Sequence, residues 1–261
     1  MIRRVVALAC SNTEIVCALG CAHLLVAVDD HSDFPVGVVN ALPRVGPDLG
    51  IDVERVASLS PDLVLASLSV PGHERVVENL KRKGLPFIAP EPRSVEDVYA
   101  NIRQIGALLS VPERADALVA EMQRELAPAP PSASAPRILI EWWPKPVIAP
   151  GRDSWVNQVL AAAGARNPLA ERAVKSTPLS DEDAAALRPD ASVISWCGVR
   201  LEKYRPDVVL RRPAWQGLEL VERRRVFRIS EAWLGRPGPR LVEGARALRE
   251  IVRQLQAETP A

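Results

Sequence analysis

Apolar residues along this chain fall into two alternating rhythms. Residues 4–9, 24–28, 63–67 and 87–89 are short apolar runs that predict strands, and 13–19, 53–59 and 74–83 carry helical spacing between them. Such alternation predicts a parallel sheet covered on both faces. Residues 94–127 then continue one helical pattern, with Ser94, Glu96 and Asp97 favouring its start and Pro112 marking a break or a first turn. Pro128, Pro130, Pro131 and Pro136 make 128–136 a stiff, extended linker. Beyond it the order resumes, with strands at 138–142, 191–196 and 226–229 and helices at 156–163 and 182–187. A last helix over 239–257 aligns Leu241, Ala245, Leu248, Ile251, Val252 and Leu255 on one stripe. The predicted fold is α/β: two α/β sandwich lobes with parallel sheets, 1–93 and 137–261, joined by a long rigid backbone helix, 94–127, and the linker.

A comparison of the two halves supports this division. Residues 52–67 (DVERVASLSPDLVLAS) match 180–195 (SDEDAAALRPDASVIS) at Glu54/Glu182, Ala57/Ala185, Leu59/Leu187, Pro61/Pro189, Asp62/Asp190 and Ser67/Ser195. The shared unit is a short helix, a Pro that stops it, an Asp in the turn and a buried strand.

Composition narrows the classes. A chain of 261 residues with 48% hydrophobic and 25% charged residues has the make-up of a folded soluble protein, and the net charge of +1 provides no field to attract nucleic acid. No run approaches the roughly 18 apolar residues of a spanning helix. The basic run Arg223, Arg224, Arg225 and Arg228 reads as a solvated turn rather than a phosphate site. Cys10, Cys17, Cys21 and Cys197 form no CxxC pair, and Cys17 and Cys21 read as packed small side chains on one helix face. Arg3-Arg4 followed by an apolar run ending at Cys10 superficially resembles a lipoprotein signal, but the run is shorter than the roughly 7–15 residues required. No signal peptide is therefore visible. The chain is cytoplasmic, or a signal has been removed, or the start codon is misassigned.

Three segments carry a resemblance. The first is Arg4 to Glu14 with Ala18-Leu19-Gly20, in which Ser11 and Glu14 have capping-box spacing. The second is Ser32-Asp33-Phe34-Pro35, Pro43-Arg44-Val45-Gly46 and Asp52-Val53-Glu54-Arg55 through Pro61-Asp62. The third is Gly151-Arg152-Asp153-Ser154 with Asn157 and 161–164. Together they resemble the periplasmic cobalamin-binding protein and its haem- and siderophore-binding relatives, the class III, helical-backbone solute-binding proteins of ABC importers.

The resemblance implies a ligand held between the lobes by loops at the carboxyl ends of the strands, in agreement with the rule for open α/β sheets. Those loops are 29–35, 67–72, 142–150, 196–200 and 230–238. Phe34, Trp142, Trp143, Trp196 and Trp233 fall in them although the chain has only six Trp, three Phe and two Tyr, and flat apolar faces suit a corrinoid ring. His31, Glu231, Arg236 and Lys145 are the polar candidates for the ligand rim, and 230–240 resembles the family loop bearing an acidic residue, an aromatic and an arginine. Arg240 reads as a residue of the last helix's first turn. His31 reads as a hydrogen-bonding loop residue, with axial coordination of cobalt or iron as the alternative. Where enterobacterial cobalamin-binding members carry tryptophans in first-lobe loops, this chain has Asp48 and Ser67.

Glu54 and Glu182 resemble the pair of surface glutamates, one per lobe, that meet arginines of the permease; helix-start carboxylates are the competing reading. The resemblance implies a periplasmic or otherwise extracytoplasmic monomer that delivers a cobalamin-like corrinoid to an ABC permease dimer with its ATPase, with no catalytic residue, no catalytic cofactor, no bound metal and no nucleic-acid partner. A haem or ferric-siderophore binder and an intracellular corrinoid carrier or sensor are the alternatives. A metal-dependent enzyme is the remaining rival, through Asp29, Asp30 and Asp33 beside His31. The chain lacks a Gly-rich phosphate loop, a nucleophile elbow and HExxH.

Overall fold

Strand β1 (Val5–Ala7), helix α1 (Cys10–Ala18), β2 (Leu25–Val28), α2 (Val36–Val39), α3 (Val53–Ser58), β3 (Leu63–Leu65), α4 (His73–Arg82) and β4 (Phe87–Ile88) follow one another in the computed structural model, which describes residues 1–258. The four strands form one wholly parallel sheet, order β2-β1-β3-β4. Val6, Val64, Val56 and Leu80 lie at its buried centre, as the continuous apolar runs predict for strands covered on both faces.

The stretch expected to be one helix over 94–127 is two: α5 (Val95–Leu108) and α6 (Pro112–Glu125). Ser110 takes φ 61°, its N–H donates to Ala107 O at 3.1 Å, and Val111 N–H donates to Gly106 O at 2.8 Å. This is a left-handed C-terminal cap, and Pro112, which has no N–H to give, opens the next helix. Gly106 lets the helices approach so closely that a Cβ there would overlap that of Ala115. The chain divides into two compact units, the first comprising Met1–Pro92, Glu96–Met122 and Pro237–Pro239, the second Arg93–Val95, Gln123–Arg236 and the chain from Arg240 onward. The Pro-rich stretch belongs to the second unit, where Ala129 N–H donates to Ala161 O.

The second unit contains β5 (Ile138–Glu141), β6 (Trp143–Pro144), β7 (Val147–Pro150), α7 (Val156–Ala162), β8 (Ser176–Leu179), α8 (Asp181–Ala186), β9 (Ala191–Ile194), α9 (Pro206–Leu210), α10 (Glu219–Glu222), β10 (Val226–Arg228), α11 (Glu231–Leu234) and α12 (Leu241–Ala257). β10, β9 and β5 form the expected parallel sheet, and β6, β7 and β8 a small antiparallel one that periodicity did not predict. The basic run is a paired turn: Arg223 and Arg225 reach Glu219, and Arg225 also reaches Glu258 at 3.0 Å.

The internal repeat is a repeat of hydrogen bonds. Asp52 caps α3 by accepting from Arg55 N–H, and Ser180 caps α8 by accepting from Asp183 N–H. Ser60 and Arg188, at matching positions past each helix, take φ 46° and 45°. Asp62 then accepts from Arg3 and Arg4 N–H, and Asp190 from Arg137 N–H, so each carboxylate ties a turn to the start of the neighbouring strand. The capping box expected at Ser11 is absent. α1 begins at Cys10, three residues before the expected start at 13, and Ser11, Asn12 and Thr13 are buried in its first turns, where Asn12 donates to the Leu65 and Ala66 carbonyls. Cys21 falls beyond the end of that helix, so it does not share a helix face with Cys17.

Candidate ligand-binding surfaces

Loops at the carboxyl ends of the parallel strands gather polar and aromatic side chains in each unit. In the first, the chain leaves β2 through Asp29, whose buried carboxylate accepts from Ser32 Oγ at 2.5 Å and His31 N–H at 3.0 Å. Burial pushes the Asp29 carboxyl up, and these two donors pull it back. Asp30 accepts from Gly46 N–H. Both aspartates thus pin loops of their own chain. The Pro-Arg-Val-Gly segment does the same: Arg44 donates to the carbonyls of Asp29, Ser32 and Val39, and Val45 pairs with Val28.

On this frame Asp48 faces two histidines. His31 Nε2 lies 3.6 Å from Asp48 Oδ1 and His73 Nε2 lies 3.7 Å from Oδ2, with His31 half exposed and the His73 side chain only 5% exposed. His73 Nδ1 accepts from Val70 N–H, which leaves Nε2 to carry the proton of the neutral ring and to point it at Asp48. His73 holds the Asp48 carboxyl below its usual range, against a smaller opposing effect of partial burial. Phe34, Val36, Leu49 and Val70, all exposed, make this end of the unit apolar. Asp48, Leu49 and Val70 belong to the surface and His73 is buried; of these four only Asp48 was singled out from the sequence. Among the described residues no group of three His, Cys, Asp or Glu stands in position to hold a metal ion.

In the second unit Trp142 follows β5, Trp143 opens β6, Trp196 follows β9, and α11 after β10 carries Glu231 and Trp233. Trp143 is 42% exposed. Trp142 leans on Trp155 at 6.2 Å between ring centroids, and Trp155 is anchored by its indole N–H to Leu234 O at 2.8 Å. Asn157 Nδ2 ties the preceding turn by donating to the carbonyls of Gly151, Arg152 and Ser154, which accounts for that motif structurally. Trp196 packs on Tyr204, whose hydroxyl donates to Trp196 O and accepts from Glu231 N–H, so one phenol joins two loops. Glu231 and Arg236 form an ion pair at 3.2 Å. Lys145 is exposed on the β6–β7 turn, and Arg240 immediately precedes α12. Ser195 Oγ and the indole Nε1 atoms of Trp142, Trp196 and Trp233 are buried without a hydrogen-bond partner among the described residues. Each unmet buried donor costs about 1–3 kcal/mol.

The docking candidates occupy matching elements. Glu54 on α3 is 79% exposed and pairs with Lys83 at 2.5 Å, while Glu182 on α8 is exposed.

A family model described as periplasmic binding protein matches residues 5–232. The chain belongs to that family. Its curated relatives include the ABC transporter substrate-binding lipoprotein YvrC of Bacillus subtilis (strain 168), 30% identical over 259 residues, covering 96% of this chain and 80% of the relative. A vitamin B12-binding protein of Pectobacterium carotovorum is 27% identical over 264 residues, covering 99% and 90%. Among solved structures, the periplasmic heme-binding protein RhuT from Roseiflexus sp. RS-1 superposes with a TM-score of 0.80 at 26% identity over 98% of this chain and 99% of that one. As a periplasmic binding protein the chain has the two-lobed class III fold, is a ligand carrier rather than an enzyme, and serves as the solute-binding component of an ABC import system, which implies a permease partner. Among the described residues no helix is long and apolar enough to cross a membrane.

Proposed function

We propose that this periplasmic binding protein carries a corrinoid. The observation that carries the reading is the grouping of Trp142, Trp143, Trp196 and Trp233 at the carboxyl ends of β5, β9 and β10, where flat apolar faces suit a tetrapyrrole-like ring. Phe34 and His31 are the contacts from the first unit. The buried indole N–H groups favour a rim rich in acceptors, such as the carboxamides of a corrin, reached by a small movement of these loops. Haem is the second reading, favoured by the structural likeness to RhuT. Haem and many siderophores present carboxylates, which call for unneutralised cations. Arg236 is already paired with Glu231, and that pair offers both donors and acceptors, as an amide rim requires. The protein acts outside the cytoplasm as a monomer and presents Glu54 and Glu182 to arginines of a permease dimer driven by its ATPase.

Titration with cyanocobalamin, haemin and a ferric hydroxamate, followed by tryptophan fluorescence and the visible spectrum, tests the ligand. Saturable quenching by cyanocobalamin is expected, with Trp143→Ala weakening it roughly tenfold, about 1.4 kcal/mol. Saturation by haemin or the siderophore alone would replace the corrinoid reading.

A further inference from the structure

Arg212 is almost fully buried in the second unit between α9 and α10, and its guanidinium is shared among three segments. Nη1 and Nη2 donate to Glu141 Oε1 and Oε2 at 2.8 and 2.9 Å, a bidentate pair at the end of β5. Nη2 also donates to Pro144 O at 3.2 Å. Nε stands 3.2 Å from Asp181 Oδ1, close enough for charge pairing although not aligned as a hydrogen bond. Ser192 Oγ donates to Glu141 Oε1, the guanidinium lies 4.8 Å from the Trp215 ring centroid, and the Trp215 indole donates to the Asp181 carbonyl.

Two of these partners bracket Trp142 and Trp143: Glu141 precedes the pair and Pro144 follows it. The third, Asp181, opens α8 and directly precedes Glu182. A guanidinium is a rigid planar fork, so its partners cannot shift independently without breaking a charge-assisted contact; Arg212 and Glu141 are buried, and Asp181 is one-third exposed.

We infer that Arg212 is a positioning residue that couples the Trp142–Trp143 segment to the first turn of α8. The coupling rests on the reading of that segment as ligand-contacting and of α8 as permease-facing. Under it, displacement of α8 on docking is transmitted to the tryptophans, and ligand occupancy biases α8 by the same free energy.

The test is hydrogen–deuterium exchange of the full chain, without ligand, for wild type, Asp181→Asn and Asp181→Glu. Asp181→Asn removes one charge from the guanidinium while keeping the Asp181 carbonyl that Trp215 uses. Its expected signature is exchange at least threefold faster over 142–148, where Trp142 N–H is bonded to Ile148 O, with exchange over β1–β4 unchanged and largely restored by Asp181→Glu. Arg212→Lys, which keeps the charge but loses the fork, is expected to give the same local signature. Unchanged exchange over 142–148 in Asp181→Asn overturns the coupling, even if Arg212→Lys fails to fold. Because no ligand enters the measurement, this outcome is separable from a failed cyanocobalamin titration.

Discussion

Between His31 and His73 the Asp48 carboxylate faces two imidazole nitrogens at 3.6 and 3.7 Å, and its pKa lies below the usual carboxylate value chiefly because of His73. A carboxyl whose pKa is depressed on folding contributes stability that is present above the unfolded pKa, near 4, and is lost as pH falls through the folded value. Asp48→Asn is therefore expected to flatten the loss of stability as pH falls below about 4, measured by urea unfolding over the acid limb. The effect is small, under about 1 kcal/mol, because Asp48 is one-third exposed. An Asn variant whose acid limb matches the wild type would refute the assignment. His31 was readable from its place in a loop after a predicted strand. The Asp48–His73 contact was not, because two residues 25 positions apart meet only once β3 and its loop are placed.

Helices α11 and α12 show how an element positions the surface. Gly244 of α12 lies against α11, and a Cβ there would overlap the Trp233 carbonyl oxygen. Alanine would gain about 1 kcal/mol of intrinsic helix propensity. It would meet a backbone carbonyl that cannot rotate away, and overpacking of that kind costs about 1–3 kcal/mol. Gly244→Ala should lower the urea midpoint at unchanged m-value and weaken ligand binding by displacing Trp233; unchanged midpoint and affinity would contradict the close packing. The apolar stripe of α12 was legible before the structure because six residues recur at helical spacing. The contact of Gly244 was not, since a glycine in a helical pattern does not say what approaches it. β6 and β8 escaped for a related reason: β6 is two residues including Pro144, and β8 sets Ser176 and Thr177 beside Pro178, so neither shows strand periodicity. The break between α5 and α6 was only half visible, because Pro112 permits a helix start as readily as it ends a helix.

At the scale of the whole molecule, the repeat places α3 and α8 at matching positions of the two units, each with an exposed glutamate. Charge reversal at both, Glu54→Arg with Glu182→Arg, is expected to abolish uptake in cells carrying the cognate importer while leaving ligand affinity within about twofold; each single reversal should give an intermediate loss. Normal uptake by the double variant would remove docking from these helices. Glu54 must give up Lys83 to meet a permease arginine, an exchange between exposed ion pairs that costs little.

What the chain determined by itself was much of what neighbours in sequence govern: the strand and helix rhythm, the turn aspartates and the repeat that unites them. Hydrophobic periodicity and capping act over a few residues, so they are written locally. Tertiary structure alone decided the pairings across long separations. The Asp48–His73 contact, the Tyr204 bridge between two loops and the Arg212 fork on Glu141 and Asp181 depend on burial, which brings charges and hydroxyls together only when the sheets and their loops are in place.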